Sequence, residues 1–161
     1  MMVARARSGM SLMLLAGLLA GVMPAVASAA ETVLAGQTVF GHICFACHGD
    51  KGQGTVGIAP ALAGSLVPVF EQAAGRDYIA RVLIYGLSGR IISHGQTYAG
   101  AMPIHSALSD TELADVANYL AQDLNGVTQP VFTAELFSRT RSLKPSPTHK
   151  ELRELRSRVM P

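Results

Sequence analysis

The feature that most constrains this chain is the run CFACH at residues 44–48. It contains the only two cysteines of the 161 residues, Cys44 and Cys47, and His48 follows the second directly. Two thiols three positions apart with an adjacent imidazole allow three kinds of site. They are a redox-active thiol pair, half of a metal site, or the place where a haem is attached covalently.

Two of these hypotheses lack partners elsewhere in the sequence. A thioredoxin-like thiol pair is expected near a βαβ pattern, which is missing here. Structural zinc needs two more ligands, and the other histidines form no close pair at ligand spacing. Covalent haem needs two cysteines about one helical turn apart with a histidine directly behind, which the run supplies. We therefore predict that Cys44 and Cys47 form thioethers to one haem c and that His48 is its proximal iron ligand.

Residues 1–30 have the pattern of an export signal. Arg5 and Arg7 precede an apolar run, and small residues follow it as a cleavage site. A retained membrane anchor is the alternative, but glycines and a proline interrupt the run and no charged flank follows. We predict cleavage near Ala29 or Ala30, a periplasmic location, and no stable membrane span afterwards.

The opposite face of a haem iron is either ligated or open. Of the seven methionines, all but Met102 and Met160 lie in the predicted signal. Met160 belongs to the tail, whereas Met102 lies in a glycine-rich segment and is followed by a proline. Because His/Met ligation is common in electron transfer, we predict Met102 as the distal ligand. His94 and His105 are the rival ligands.

Charge is distributed unevenly along the rest of the chain. Residues 31–125 carry four basic and eight acidic side chains, whereas residues 126–161 carry seven basic and three acidic ones. An acidic body is thus joined to a basic tail. The basic residues are not interleaved with aromatic ones, so nucleic acid is not expected as a partner. We predict a signal at 1–30, a haem domain at 31–125 and a basic helical extension at 126–161.

Helical periodicity and glycine-rich breaks alternate in the body. The predicted helices cover residues 32–43, the segment from Asp77 to Gly86, and residues 110–124. Ser109 and Glu112 form a capping box at the start of the third helix. Loops rich in glycine occupy residues 49–64 and 87–106. No period-two pattern persists, so we predict an all-α fold with large loops.

The tail shows two further helix signals. Thr133 is placed to cap a short helix, and Ser146 followed by Pro147 is typical of the start of another. The second helix has an apolar stripe formed by Leu152, Leu155 and Val159. We expect this stripe to pack on the protein's own surface, with a partner-docking arm as the alternative.

Residues on the predicted helices 32–43 and 110–124 resemble those of a known family. Gly36 and Phe40 lie four apart before the first cysteine, and Tyr119 lies with apolar neighbours on the helix after Ser109. In this arrangement residues 32–124 resemble a class I cytochrome c. The resemblance implies that the glycine lets the two helices cross closely and that the aromatic side chains pack beside it.

Two loop motifs extend the resemblance. Pro60 lies twelve residues after His48, where the family has a proline whose carbonyl accepts the proximal imidazole N–H. The run GQTYAGAMP, which ends just after Met102, is similar to the methionine-ligand loop of small bacterial members. The chain contains no tryptophan, although mitochondrial-type members use one to hold a haem propionate. Arg90, Gln96 and Tyr98 are our candidates for that role.

The resemblance also implies a function. The expected fold wraps helices and long loops around one covalent haem, with an additional C-terminal helical extension. With both faces of the iron ligated, the protein would not be an enzyme but would carry single electrons. It would do so as a soluble carrier or as the cytochrome subunit of an oxidoreductase, between a dehydrogenase donor and an oxidase or reductase acceptor. A haem enzyme or gas-binding sensor with a displaceable distal ligand is the alternative.

Overall fold

The computed structural model describes residues 29–129 and 131–160. Its helices are α1 (Ala29–Val39), α2 (Phe45–His48), α3 (Val67–Glu71), α4 (Ala73–Tyr85), α5 (Asp110–Gln122), α6 (Ala134–Arg141) and α7 (His149–Val159). A π-helical turn at Phe40–Cys44 joins α1 to α2. Helices joined by irregular loops confirm the predicted fold class. The predicted signal at residues 1–30 lies almost wholly outside the described residues.

Across the described ranges, every helix is too short or too polar to traverse a lipid bilayer.

Short strands punctuate the second glycine-rich loop. They are β1 (Leu87–Ser88), β2 (Ile91–Ser93), β3 (Gln96–Tyr98) and β4 (Ala101–Met102), and β1 pairs antiparallel with β4 as β2 does with β3. The sequence predicted only a loop here, because strands of two or three residues are too short to show alternation. Gly86 ends α4 with φ 71°, and a Cβ there would lie 2.7 Å from the Met102 carbonyl oxygen. This glycine therefore permits both the helix end and the β1–β4 pair.

The N-terminal helical segment crosses α5 at close range. A Cβ on Gly36 would lie 2.1 Å from the carbonyl oxygen of Asp115, so only glycine fits at this crossing. One turn later the rings of Phe40 and Tyr119 meet with their centroids 5.4 Å apart. Both aromatic side chains are buried. The predicted packing of the glycine and the two aromatic residues is confirmed.

Helix α5 begins as its sequence predicts. The Glu112 backbone N–H donates to Ser109 Oγ at 3.2 Å, and the Ser109 backbone N–H donates to Glu112 Oε2 at 2.8 Å. The predicted apolar stripe, which includes Leu113 and Val116, is buried in the core. The helix ends at Gln122 rather than at residue 124.

Other predicted helix limits need correction. The first helix already includes Ala29, the first described residue, rather than starting at residue 32, and helical turns continue beyond residue 43 through His48. Helix α4 begins at Ala73 rather than at Asp77. The residue before it, Gln72, has an extended backbone, which marks the start of the helix.

The start of α7 is displaced by a second capping box. The sequence predicted a start at Ser146 and Pro147, but the N-cap is Thr148. The Glu151 backbone N–H donates to Thr148 Oγ1 at 3.2 Å, and the Thr148 backbone N–H donates to Glu151 Oε2 at 2.7 Å. The two reciprocal bonds satisfy helix-end donors that the proline alone would leave exposed.

A buried asparagine ties the extension to α5. Asn118 is 2 % exposed, and its Oδ1 accepts the backbone N–H groups of Val131 and Phe132 at 2.9 and 3.0 Å. Its Nδ2 donates to the Phe132 carbonyl at 2.9 Å. The Phe132 ring then packs edge-on against Phe70, with centroids 5.8 Å apart. The segment after α5 is therefore part of the same core.

The two extension helices are also held in place. Arg141 on α6 forms an ion pair with Asp110, at 2.9 Å, so the basic tail contacts the acidic body directly. On α7, Leu152 and Val159 are buried in the core, with Leu155 partly buried beside them. The prediction that this stripe packs on the protein's own surface is confirmed.

Candidate haem site

The CFACH run lies on the wall of a cavity. Helical turns through residues 40–48 bring Cys44, Cys47 and His48 to the same lining. Burial, together with the neighbouring Cys47, raises the pKa of Cys44 to about 11. Because the thiolate is the reactive form, such a thiol is a poor nucleophile at neutral pH. This environment does not favour a redox-active thiol pair.

The ring of His48 is fixed by one hydrogen bond. Its Nδ1 lies 2.9 Å from the Pro60 carbonyl oxygen, and since a carbonyl only accepts, Nδ1 carries the proton. The other ring nitrogen, Nε2, is left with a lone pair that can bind a metal. Burial lowers the pKa of His48, an effect that the bond to Pro60 partly opposes. The imidazole is thus held neutral, in the form that ligates iron.

Backbone contacts of the first glycine-rich loop place Pro60 opposite the ring. The Gly54 N–H donates to the His48 carbonyl at 2.7 Å, and the Leu62 carbonyl accepts from Asn125 Nδ2 at 2.9 Å. Gly54 has φ 78°, and a Cβ there would lie 2.5 Å from the Ala61 backbone nitrogen. Glycine at this position therefore lets the loop close over the histidine.

The rest of the cavity comes from distant parts of the chain. Apolar side chains of α4, including Ile79 and Val82, form its floor, and Met102 and His105 come from the second glycine-rich loop. Arg156 and Met160 come from α7 and its C-terminal end. The cavity volume is about 180 Å³, more than ten times the ~10–15 Å³ that one water requires.

These residues fit a covalent haem. Two cysteine sulfurs, a neutral histidine and a methionine surround a largely apolar space, which is the donor set and environment of a c-type haem. Within residues 29–129 and 131–160, no group of three or more His, Cys, Asp or Glu side chains is placed to hold a metal ion. The structural zinc hypothesis therefore gains no support.

Most of the predicted site residues come together at this cavity. Those on its lining are Cys44, Cys47, His48, Pro60, Tyr98 and Met102. Arg90 and Gln96 are exposed beside the β2–β3 hairpin and are not on the lining, so the structure does not bring them to the site. Of the two rival distal ligands, His105 lines the cavity, whereas His94 is exposed at the hairpin turn.

The sequence did not predict a contact between Tyr78 and Arg156. Tyr78, on α4, is 4 % exposed and lines the cavity together with Arg156. Burial raises the pKa of Tyr78 to about 12, although the nearby Arg156 acts in the opposite direction. One signal was available in the sequence. Arg156 is four residues after Leu152 and three before Val159, so it shares the buried face of α7.

His105 has an environment of its own. Burial lowers its pKa, which favours the uncharged imidazole. Its backbone N–H donates to the Leu83 carbonyl at 3.0 Å, which fixes the chain just after the Met102 loop.

Comparison with known proteins agrees with this geometry. A family profile described as Cytochrome c matches residues 33–123. Two relatives are a cytochrome c-552 of Thermus thermophilus and the cytochrome c-552 of one particular strain of that species, each 36% identical over 108 residues. The alignments cover 65% of this chain and 82% and 73% of the respective relatives. The chain belongs to the cytochrome c family.

Membership of the family defines the cofactor and the kind of protein. Members bind haem c covalently and transfer electrons together with redox partners, and Cys44 and Cys47 lie at the cysteine positions of the family's CxxCH motif. The cofactor and the family predicted from the sequence are confirmed.

Proposed function

We propose that this protein carries single electrons in the periplasm, with Cys44 and Cys47 as the haem attachment points and His48 and Met102 as the axial ligands. The observation that carries the proposal is the 2.9 Å bond from His48 Nδ1 to the Pro60 carbonyl, on the cavity that Met102 also lines. This bond fixes the tautomer and increases the basicity of the ligating nitrogen. When bound, the haem supplies the one-electron redox couple.

Two features favour Met102 over Met160 as the distal ligand. Met102 lies within residues 33–123, which the family profile matches, whereas Met160 lies outside them. Met102 is also held opposite Leu87 by the β1–β4 pair, which fixes its backbone at the cavity. A thioether ligand raises the reduction potential, as suits an electron carrier.

The buried stripe of α7 favours a soluble carrier over an enzyme subunit. A permanent subunit needs an apolar surface left available for its neighbour. Leu152 and Val159 are instead 1 % and 4 % exposed within this chain. A carrier of this kind would take electrons from a dehydrogenase and deliver them to an oxidase or reductase. It would be exported through the predicted signal at residues 1–30.

The ligand assignment can be tested by absorption spectroscopy on protein matured with a cytochrome c assembly system. Iron–methionine ligation gives a weak far-red band in the oxidised protein. Met102→Ala should abolish this band, whereas the matched variant Met160→Ala should retain it. Loss of the band in the second variant alone would assign the ligand to Met160 and overturn the proposal.

Carbon monoxide separates a carrier from a gas-binding sensor or haem enzyme. The reduced wild-type protein should not change its spectrum on exposure to the gas, because Met102 occupies the sixth position. Met102→Ala should bind carbon monoxide readily. Rapid binding by the wild-type protein would contradict the carrier function and support a displaceable ligand.

A further inference from the structure

The C-terminal extension supplies part of the cavity wall. Helix α7 lies outside the residues that the family profile matches, yet Arg156 and Met160 are on the lining. The helix is anchored by the buried Leu152 and Val159, and Arg153 Nη1 donates to the Ser88 carbonyl beside the cavity. Arg156 is thus held at the cavity by the packing of its own helix.

The guanidinium of Arg156 has no matching anion within the described protein. It is the one lysine or arginine among the lining residues, and no aspartate or glutamate of residues 29–129 and 131–160 lines the cavity. No ion pair joins Arg156 to a carboxylate of those residues. Tyr78 lies with it on the lining, but a neutral phenol leaves the positive charge uncompensated.

Arg156 is partly exposed, so its charge is solvated on one side, but on the side of the largely apolar cavity it is stabilised when an anion pairs with it. The haem of this family carries two propionate carboxylates, and a guanidinium binds a carboxylate through two parallel N–H donors. The residues proposed from sequence for this role, Arg90 and Gln96, are exposed and off the lining.

We propose that Arg156 binds a haem propionate and that Tyr78 positions the guanidinium, which makes the extension part of the haem site. The inference rests on the covalent haem and not on Met102 as the distal ligand. Pairing with a cation offsets the negative charge of the propionate, which would otherwise stabilise the oxidised iron. Removing the cation should therefore lower the reduction potential.

The test compares the haem-bearing wild-type protein with Arg156→Gln, Arg156→Lys and the matched variant Arg158→Gln. Arg158 is on the same helix but is exposed. Redox titration of Arg156→Gln should show a threefold to tenfold smaller equilibrium constant for reduction, tenfold being about 59 mV for one electron. Arg156→Lys should restore most of the difference, and Arg158→Gln should titrate as wild type.

Two further readouts separate propionate binding from a packing role. The propionate-bending band in the resonance Raman spectrum should shift in Arg156→Gln and stay in place in Arg158→Gln. Tyr78→Phe keeps Arg156 but removes the hydroxyl proposed to position its guanidinium. This variant should lower the reduction potential by less than Arg156→Gln does. The inference is overturned if the propionate band does not move. It is equally overturned if Arg156→Gln and Arg156→Lys lower the potential alike while hydrogen exchange shows that α7 has detached.

Discussion

The two walls of the haem cavity are built in different ways. Three residues of one wall, Cys44, Cys47 and His48, come from a single continuous helical segment. The opposite wall combines Met102 from a loop with Arg156 from the extension, so it exists only after distant parts of the chain have packed together. The first wall depends mainly on local geometry, and the second depends on docking. Changes that weaken docking should therefore affect the two walls unequally.

The largest expected effect is at the close crossing that supports the first wall. In Gly36→Ala the new Cβ would overlap the Asp115 carbonyl oxygen, which is backbone and cannot rotate away. The free energy of unfolding should fall by more than about 3 kcal/mol, the upper end of ordinary overpacking costs. Urea unfolding of the haem-bearing protein measures it. Gly41→Ala is the matched control, because a Cβ there meets nothing within 4 Å. Equal stability of the two variants would show that the helices do not cross this closely.

A smaller effect is expected at the anchor of the second wall. Leu152→Ala removes a side chain that is 1 % exposed, and should cost about 2–3 kcal/mol, the low end of the range for buried leucines. Hydrogen exchange in α7 should rise, whereas exchange near His48 should change little. Leu34→Ala, at a position 64 % exposed, is the control. An equal increase in hydrogen exchange at both walls would show that the first wall also depends on the docking of α7.

The smallest effects are expected at the two capping boxes. One begins α5, which packs against the segment of the first wall, and the other begins α7, which contributes to the second wall. Ser109→Ala and Thr148→Ala should each cost about 1 kcal/mol, the usual loss for such a cap. Thermal unfolding should record both if the extension unfolds with the body. If α7 opens separately, only hydrogen exchange in α7 would report Thr148→Ala.

The same boxes give a pH dependence with a defined sign. Hydrogen bonds from Ser109 lower the pKa of Glu112, and those from Thr148 lower the pKa of Glu151. A lowered carboxyl pKa stabilises the fold above the unfolded value of about 4.5, and this contribution disappears as the pH falls through the folded value. The difference between wild type and each alanine variant should shrink below pH 4.5 in unfolding titrations. A difference that grew on acidification would contradict the assigned bonds.

The same contrast explains how much could be predicted from sequence. The Ser109 capping box is a local signal, and it predicted the start of α5 correctly. The crossing at Gly36 was predicted through the family resemblance, and the structure contains it. Pro60 was found through the family's spacing, and the structure places its carbonyl against His48. These features follow a local signal or a spacing that the family shares.

The part of the second wall that comes from the extension was beyond those rules. No spacing relates Tyr78 to Arg156, because their contact arises when α7 packs on α4. Arg90 and Gln96 were candidates for the propionate contact together with Tyr98, but of the three only Tyr98 is on the cavity lining, although Gly89, Ile91 and Ser93 beside the other two are on it. Neighbouring residues of a short strand can face opposite sides, so position along the chain did not decide which of them reach the cavity.

The π-helical turn at Phe40–Cys44 fixes how many residues separate Phe40 from the cysteines. One residue of a regular α-helix corresponds to a rotation of about 100°. Phe40 packs on α5 while Cys44 lines the cavity, and the wider turn between them sets the angle that separates these two directions. Deleting Gly41 would allow a regular helix but would turn both cysteines and His48 away from the haem relative to Phe40. Because a Cβ on Gly41 meets nothing within 4 Å, we expect the segment to accept a side chain there but not the loss of the residue.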